Sequence, residues 1–324
     1  MSFETELKAR IAAAGPIGVD EYMAGANTHY YATRDPLGVS GDFVTAPEIH
    51  QMFGELVGAA LADVWARAGR SANAAYVELG PGRGTLADDA LRVLRRAGFA
   101  GEVHLVETSP MLRAAQAKRL PEARFHDNFG DLPLAPLLLV ANEFFDALPV
   151  KQWVGQEERR IALDGERLAF TVDGRIRETS PARAESAQAL ARHLAAHGGA
   201  AVIIDYGYAG GEEGDTLQAV RGHHFADPLE APGEQDLTAH VDFSALADAA
   251  RQGGASVSCV TSQGTWLETL GIGARAMALA AKNPADTEGI AAARRRLCDE
   301  GEMGRLFKVM ALTGKGWPAV AGLE

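Results

Sequence analysis

Two groups of residues in this 324-residue chain have the types and spacing to do chemistry. The first lies in the run 75–84 (AYVELGPGRG), where Glu78 is followed by Gly80, Gly82 and Gly84. Glycine has no Cβ, so three of them at alternate positions allow positive φ and let a ligand come close to the backbone. The apolar run ahead of them reads as a strand. Leu86, Ala90, Leu91 and Leu94 after them have helical spacing, so the ligand would meet a helix N-terminus. Dinucleotide turns read G-x-G-x-x-G and seat a pyrophosphate. This turn is the tighter G-x-G-x-G, and the acid before it suits the cationic amino-acid and sulfonium end of S-adenosylmethionine better than a phosphate. A glycine-rich surface turn with a buried or capping glutamate is the alternative these residues leave open.

A second acid strengthens the nucleoside reading. Glu107 ends the strand-like run 102–107 (EVHLVE), 23 positions after Gly84, close to the roughly 20 at which a carboxylate accepts ribose hydroxyls. Asp127 and Asn128 follow a brief strand at 123–126, where an adenine would meet a polar side chain and the Phe129 ring. A local turn role for Asp127 fits as well. The other chemical group is Asn142-Glu143-Phe144-Phe145-Asp146, at the end of the apolar run 137–141. That run reads as a central parallel strand buried on both faces. Two carboxylates and an amide at its carboxyl end point into the crevice where doubly wound sheets bind ligands. Asp146 could instead cap a turn before Pro149. His223, His224, Asp236 and His240 lack metal-ligand spacing, so no metal is expected.

The elements that must position these residues follow from periodicity. Residues 3–14 form an amphipathic helix stopped by Gly15-Pro16, and 19–24 begin another. Residues 27–47 read as a long ordered loop, a lid or wall over the cofactor, because Tyr30, Tyr31 and Phe43 argue against disorder. A loop tucked on the surface by its aromatics is the other reading. Thr45, Pro47 and Glu48 form a capping box that starts a helix running to about residue 67. The alternating run 151–172, with Asp164-Gly165 as its turn, predicts an inserted antiparallel hairpin. A helix at 181–197 and a core strand at 201–204 come next, then a second long loop at 210–240. Helices at 241–252, 266–281 and 291–298, with strands at 255–261 and 305–312, complete the chain.

Composition bounds the rest. A hydrophobic content of 47% supports a packed core, and a net charge of −12 argues against nucleic acid and favours a basic substrate. Cys259 and Cys298 are too few for a disulfide framework and fit a reducing compartment. The sequence holds no apolar run long enough to span a bilayer, so no membrane is expected. Residues 1–10 resemble neither a signal nor a transit peptide, which predicts the cytoplasm.

The motifs taken together carry a resemblance. Tyr30-Tyr31, 41–48 (GDFVTAPE), 53–55 (FGE), 78–84 (ELGPGRG), 107–110 (ETSP), 142–149 (NEFFDALP), 205–207 (DYG) and 236–240 (DLTAH) stand in the order seen in the MidA-like family. The chain resembles those class I S-adenosylmethionine-dependent protein arginine methyltransferases over nearly its whole length. Mitochondrial members of the family assist assembly of respiratory complex I. The resemblance implies an α/β, Rossmann-like fold: a seven-stranded, mostly parallel sheet with helices on both faces, an N-terminal helical cap and the inserted hairpin. It implies cap and lid helices over residues 1–70. A methyltransferase domain over 71–324 would then carry insertions at about 151–175 and 207–240. For the site it implies Glu78, Gly80, Gly82, Gly84, Glu107, Asp127, Asn128, Tyr31 and Asp42 around S-adenosylmethionine. Glu143 would grip an arginine of a protein substrate, with Asp146 beside it, Asn142 orienting and His240 accepting a proton. A homodimer is left open. The rival readings are a non-catalytic assembly factor that keeps the fold, and an NAD(P)-dependent oxidoreductase, which the turn spacing disfavours.

Overall fold

A computed structural model describes residues 2–33, 45–210, 214–222 and 224–324. Its frame is a sheet with seven strands on its main path: β1 (Ala75–Leu79), β2 (Val103–Val106), β3 (Arg124–His126), β4 (Leu137–Asn142), β5 (Gly199–Tyr208), β6 (Ser256–Val257) and β7 (Phe307–Thr313). They lie in the order β6-β7-β5-β4-β1-β2-β3, and the two-residue strands Val241–Asp242 and Thr261–Ser262 attach to β5 and β7. Pairing is parallel from β5 through β4, β1 and β2 to β3, whereas β7 runs antiparallel to both β5 and β6. The expected seven-stranded, mostly parallel sheet is therefore a mixed sheet of nine strands. The expected strand at 255–261 is the source of part of the difference, since it forms as two short pieces that each pair with β7.

Every residue of β1, β4 and β5 is buried, as strands covered on both faces require. Alternate residues divide between two cores. Tyr76, Leu138, Val140, Val202 and Ile204 face one, and Val77, Leu79, Leu139, Ala141 and Ile203 the other. The first core is covered by α4 (Met52–Arg67) and α5 (Thr85–Arg96), the helix that leaves the glycine turn. These two helices meet at glycines. A Cβ on Gly58 would stand 2.6 Å from the Ala90 backbone, and one on Gly54 would stand 2.6 Å from Cβ of Asp89.

Three stretches differ from the sequence expectations. First, α2 (Val19–Thr33) continues through residues read as loop, because Tyr22, Met23, Ala26 and Tyr30 keep a helical apolar stripe that buries. Residues 34–44, with Asp42 and Phe43, lie outside the described residues. Second, the helix expected over 45–67 breaks at His50-Gln51 into α3 (Ala46–Ile49) and α4. Thr45 makes no side-chain cap, and Glu48 accepts a hydrogen bond from the Thr85 hydroxyl instead of closing a capping box. His50 Nδ1 accepts from the Met52 amide and starts the second helix. Third, the 210–240 stretch is not loop throughout. Gln218–Arg221, His224–Ala226 and Asp236–Thr238 form a small antiparallel sheet.

The inserted hairpin belongs to a five-stranded antiparallel sheet of Ile17–Gly18, Lys151–Val154, Glu157–Asp164, Arg167–Phe170 and Ile176–Thr179. Gly165 supplies the positive φ of 60° at its turn. Ile17 pairs with Ile161, so the N-terminal segment is stitched to the insertion. A third core of Leu7, Ile11, Tyr22, Val150, Ile161 and Leu237 joins α1 (Phe3–Ala14) and α2 to both insertions. Among the described residues no helix is long and apolar enough to cross a membrane.

The Gly58 contact yields a test. Gly58→Val should lower unfolding stability by about 1–3 kcal/mol by forcing α4 away from α5. Cofactor affinity should fall with it, because α5 sets the glycine turn. Denaturant melts showing unchanged stability would place the α4–α5 contact elsewhere.

Candidate active site

The chain leaves β1 toward β2 and β3 on one side and returns through β4 and β5 on the other. Such a switch point opens a crevice at the carboxyl ends of its strands. A cavity of about 750 Å³ lies there, lined by Glu78, Gly80, Gly82, Glu107, Asn142, Glu143, Asp146, Tyr31 and His240 among others. A second cavity, of about 420 Å³, shares Gly80, Glu107, Thr108 and Phe144 with the first and is lined by Asp127 and Asn128.

The glycine turn has the conformation its sequence requires, with φ of 60° at Gly80, 54° at Gly82 and 77° at Gly84. A Cβ on Gly80 would stand 3.2 Å from the Phe144 ring. Gly84 is not in the cavity wall but caps α5 in the left-handed conformation. Gln116, fully buried, donates from Nε2 to the Gly82 carbonyl at 2.6 Å and to Glu107 Oε2 at 3.4 Å. It thereby ties the turn to the acid of the next strand. Glu107 Oε1 accepts from the Ser109 amide at 2.8 Å. Burial pushes its carboxyl up, against the pull of these donors. Glu78 is also buried; the Tyr76 hydroxyl donates to it at 2.7 Å, and burial raises it to about 8. Asp127 lies at the surface, paired with Arg113 at 2.7 Å, and Asn128 caps a short turn by accepting from Gly130 at 2.9 Å.

Across the crevice, Glu143 holds a φ of 51°, a left-handed conformation unusual for a residue with a side chain. Its amide still donates to the Ile204 carbonyl at 2.9 Å, so pairing with β5 persists to the point where the chain bends. Glu143 Oε1 accepts from the Ala46 amide at 3.3 Å and from Asn142 Nδ2 at 3.1 Å. Burial, then the charge of Asp146, raises its carboxyl to about 8. Asn142 Oδ1 is buried with no hydrogen-bond partner among the described residues. Burial pushes Asp146 up too, while Tyr206 and Arg183 oppose that shift. The His240 ring meets Tyr206 edge-on, with centroids 5.5 Å apart.

Sequence reasoning missed the side chains that hold this loop. Arg183 donates to the carbonyls of Phe145 at 2.7 Å, Asp146 at 2.9 Å, Ala239 at 2.8 Å and His240 at 2.6 Å. One signal was present. Arg183 occupies the buried stripe of the helix Pro181–His197, in phase with Ala187, Leu190, Ala191 and Leu194. Asn27 bridges α2 to the Ala147 and Leu237 carbonyls, and the Tyr31 hydroxyl donates to Asp236 at 2.8 Å.

The turn, the buried acids and the strand order define a class I S-adenosylmethionine-dependent methyltransferase. The family model described as "Putative S-adenosyl-L-methionine-dependent methyltransferase" matches residues 56–166 and 159–261. The zebrafish (Danio rerio) mitochondrial protein arginine methyltransferase NDUFAF7 is 38% identical, with 86% of this chain and 78% of that protein covered. The Drosophila melanogaster homolog is 36% identical over 96% of this chain and 84% of its own length. A Burkholderia thailandensis protein solved with S-adenosyl-homocysteine bound superposes with a TM-score of 0.86 at 28% identity, covering 99% of this chain and 93% of that one. The chain belongs to the MidA-like NDUFAF7 family of S-adenosylmethionine-dependent methyltransferases. The expectation of a cytoplasmic protein is corrected by these relatives, which are named as mitochondrial proteins. A low cysteine count reports redox conditions and sets no address.

Two tests follow. Glu107→Ala should weaken S-adenosyl-homocysteine binding by about 1–3 kcal/mol; a calorimetric change below about 0.5 kcal/mol would move that role to another residue. Glu78, with its proton held to about 8, binds that proton more tightly in the native chain than in the unfolded one, where it titrates near 4.5. Its ionisation therefore removes stability as pH rises through that window. In the ligand-free protein the Tm of Glu78→Gln relative to native should increase from pH 5 to pH 8. A difference that does not change with pH would contradict the buried-acid assignment.

Proposed function

We propose that this methyltransferase modifies an arginine side chain of a polypeptide, with Glu143 gripping the guanidinium. The names of its relatives support the acceptor class. The observation that carries the site assignment is Glu143, bent to positive φ at the end of the central strand β4, in the wall of the main cavity, next to Asp146. Strain of this kind persists where surrounding structure enforces it, and it clusters at functional sites.

On this reading Gly80 and Gly82 let the cofactor lie against the backbone while Gly84 turns the chain into α5, Glu107 accepts its ribose hydroxyls, and Glu78 pairs with its ammonium group. Asp127 and Asn128 border the smaller cavity as the adenine end, and Tyr31 acts from the opposite wall through Asp236. The helices α1 and α2 cap a methyltransferase core to which α4 already belongs, and whose main path has β7 antiparallel. Bound S-adenosylmethionine supplies an electrophilic methyl on a sulfonium. A guanidinium titrates above about 12 and is a poor nucleophile. Ionised Glu143, holding it through forked hydrogen bonds, concentrates charge on one nitrogen and turns another toward the methyl. Asn142 Oδ1, buried without a partner, accepts from a further N–H. As the nitrogen–carbon bond forms and the carbon–sulfur pair returns to sulfur, the nitrogen's proton passes to Glu143 or to the His240 ring at the rim. Asp146 adds negative charge that stabilises the bound cation.

Glu143→Gln tests this. Labelled-methyl transfer to arginine peptides should fall about a hundredfold, with S-adenosyl-homocysteine affinity and Tm retained. Full turnover in the folded variant would sink the assignment. The pH profile gives an independent reading. Glu143 holds its proton to about 8 in the free enzyme and must lose it to grip a cation. Consequently kcat/KM should rise with pH up to about 8 and level above it. A profile flat from pH 6 to 9 would assign the grip to another group.

A further inference from the structure

The small sheet at 218–238, which the sequence disguised as loop, faces the main cavity. Its register sets Phe225 opposite Val220, and Val220 opposite Asp236. Directly paired residues share one face of a sheet, and all three line the same cavity as Glu143. They form one transverse row that changes character along its length. Phe225 is 80% exposed at the mouth, Val220 is half-buried, and Asp236 is 4% exposed inside. Leu306, 46% exposed, lines the same cavity from the segment before β7. An exposed phenylalanine on a three-residue edge strand stands against the usual blunting of sheet edges by charge.

We propose that this row is the docking surface for the methyl-accepting polypeptide, and that the accepted arginine is one flanked by a bulky apolar residue. The proposal rests on the arginine reading above and adds its sequence context. Neighbouring strands are about 4.8 Å apart, so the row spans roughly 10 Å from Phe225 to Asp236. That distance suits a long cationic side chain reaching inward while its backbone stays at the mouth. The inner end is acidic, with Asp236, Glu143 and Asp146 converging on the cation. At the outer end Phe225 and Leu306 offer apolar surface beside the substrate backbone, where only a neighbouring apolar side chain can cover them. Free arginine, or arginine among glycines, would leave that surface in water.

Fluorescein-labelled peptides bound to the protein saturated with S-adenosyl-homocysteine test the proposal by anisotropy. Three probes suffice: arginine between leucines, arginine between glycines, and norleucine between leucines. The leucine-flanked arginine peptide should bind about tenfold more tightly than the glycine-flanked one, as burial of one apolar side chain allows. Phe225→Ser and Leu306→Ser should each erode that preference while Tm and S-adenosyl-homocysteine affinity hold. Equal binding of the two arginine peptides, a preference that survives in both variants, or no binding of any probe at millimolar concentration overturns the proposal. If the norleucine peptide binds as tightly as its arginine counterpart and still depends on Phe225, the surface stands and the arginine reading fails.

Discussion

A buried guanidinium that has no carboxylate as a direct partner among the described residues holds the site together. Arg183 gives its N–H groups to four backbone carbonyls, two in the loop after β4 and two in the segment before Val241. Asp205 completes the arrangement from the other side, accepting from the amides of Phe145 and Asp146 at 2.9 and 3.2 Å. At residues 145 and 146, therefore, the carbonyls go to a buried cation and the amides to a buried acid. A polar loop can lie in an apolar interior only when its groups are satisfied in this way, since each orphan would cost about 1–3 kcal/mol. The chain position of Glu143, just ahead of this anchored pair, follows from the same accounting.

The anchoring also explains why the acids of the cavity hold their protons. Arg183 points its hydrogen bonds at carbonyls, so its charge reaches Asp146 only through space. Glu78, buried, and Glu143, half-buried, lie beyond it, with neutral donors for their hydrogen-bond partners among the described residues. Each is raised to about 8. A cation beside these carboxyls would supply a counter-charge and favour their ionisation, against the burial that raises them. On the proposed reading both cations, the ammonium of the cofactor at Glu78 and the guanidinium of the acceptor at Glu143, meet a carboxyl of this kind. The left-handed φ at Glu143 and the Asn142 Oδ1 that lacks a partner among the described residues are further costs carried at the same place in the cavity wall.

What could be read from the sequence was local. The glycine turn, Glu107 after its strand and the apolar run of β4 each announce themselves within ten residues, because strand burial and turn conformation depend on near neighbours. The 27–33 stretch misled because its asparagine, threonines and paired tyrosines have loop composition, while its period of burial is helical. The 210–240 stretch misled for the opposite reason: its strands are three or four residues long and its pairing is set by packing against α2 and the loop after β4. Arg183 and Asn27 act on segments 37 to 210 residues away by hydrogen bonds to backbone, which leaves no trace in residue type at the receiving end. Only the phase of Arg183 on its helix betrays it.

The two insertions then acquire a common purpose. Leu237 of one and Ile161 of the other pack into a single core with Tyr22 and Met23 of α2. Asn27 of the same helix bonds the Ala147 and Leu237 carbonyls. The N-terminal helices and both insertions are therefore one wall, built against the loop that carries Asp146. The parallel sheet supplies the cofactor side of the cavity by its own topology, as doubly wound sheets do. On the proposed reading the acceptor meets Glu143 at the end of β4, and the added segments build the rest of the wall around it. On the proposed reading Val220, Phe225 and Asp236 place substrate choice in an added segment that the core fold does not need.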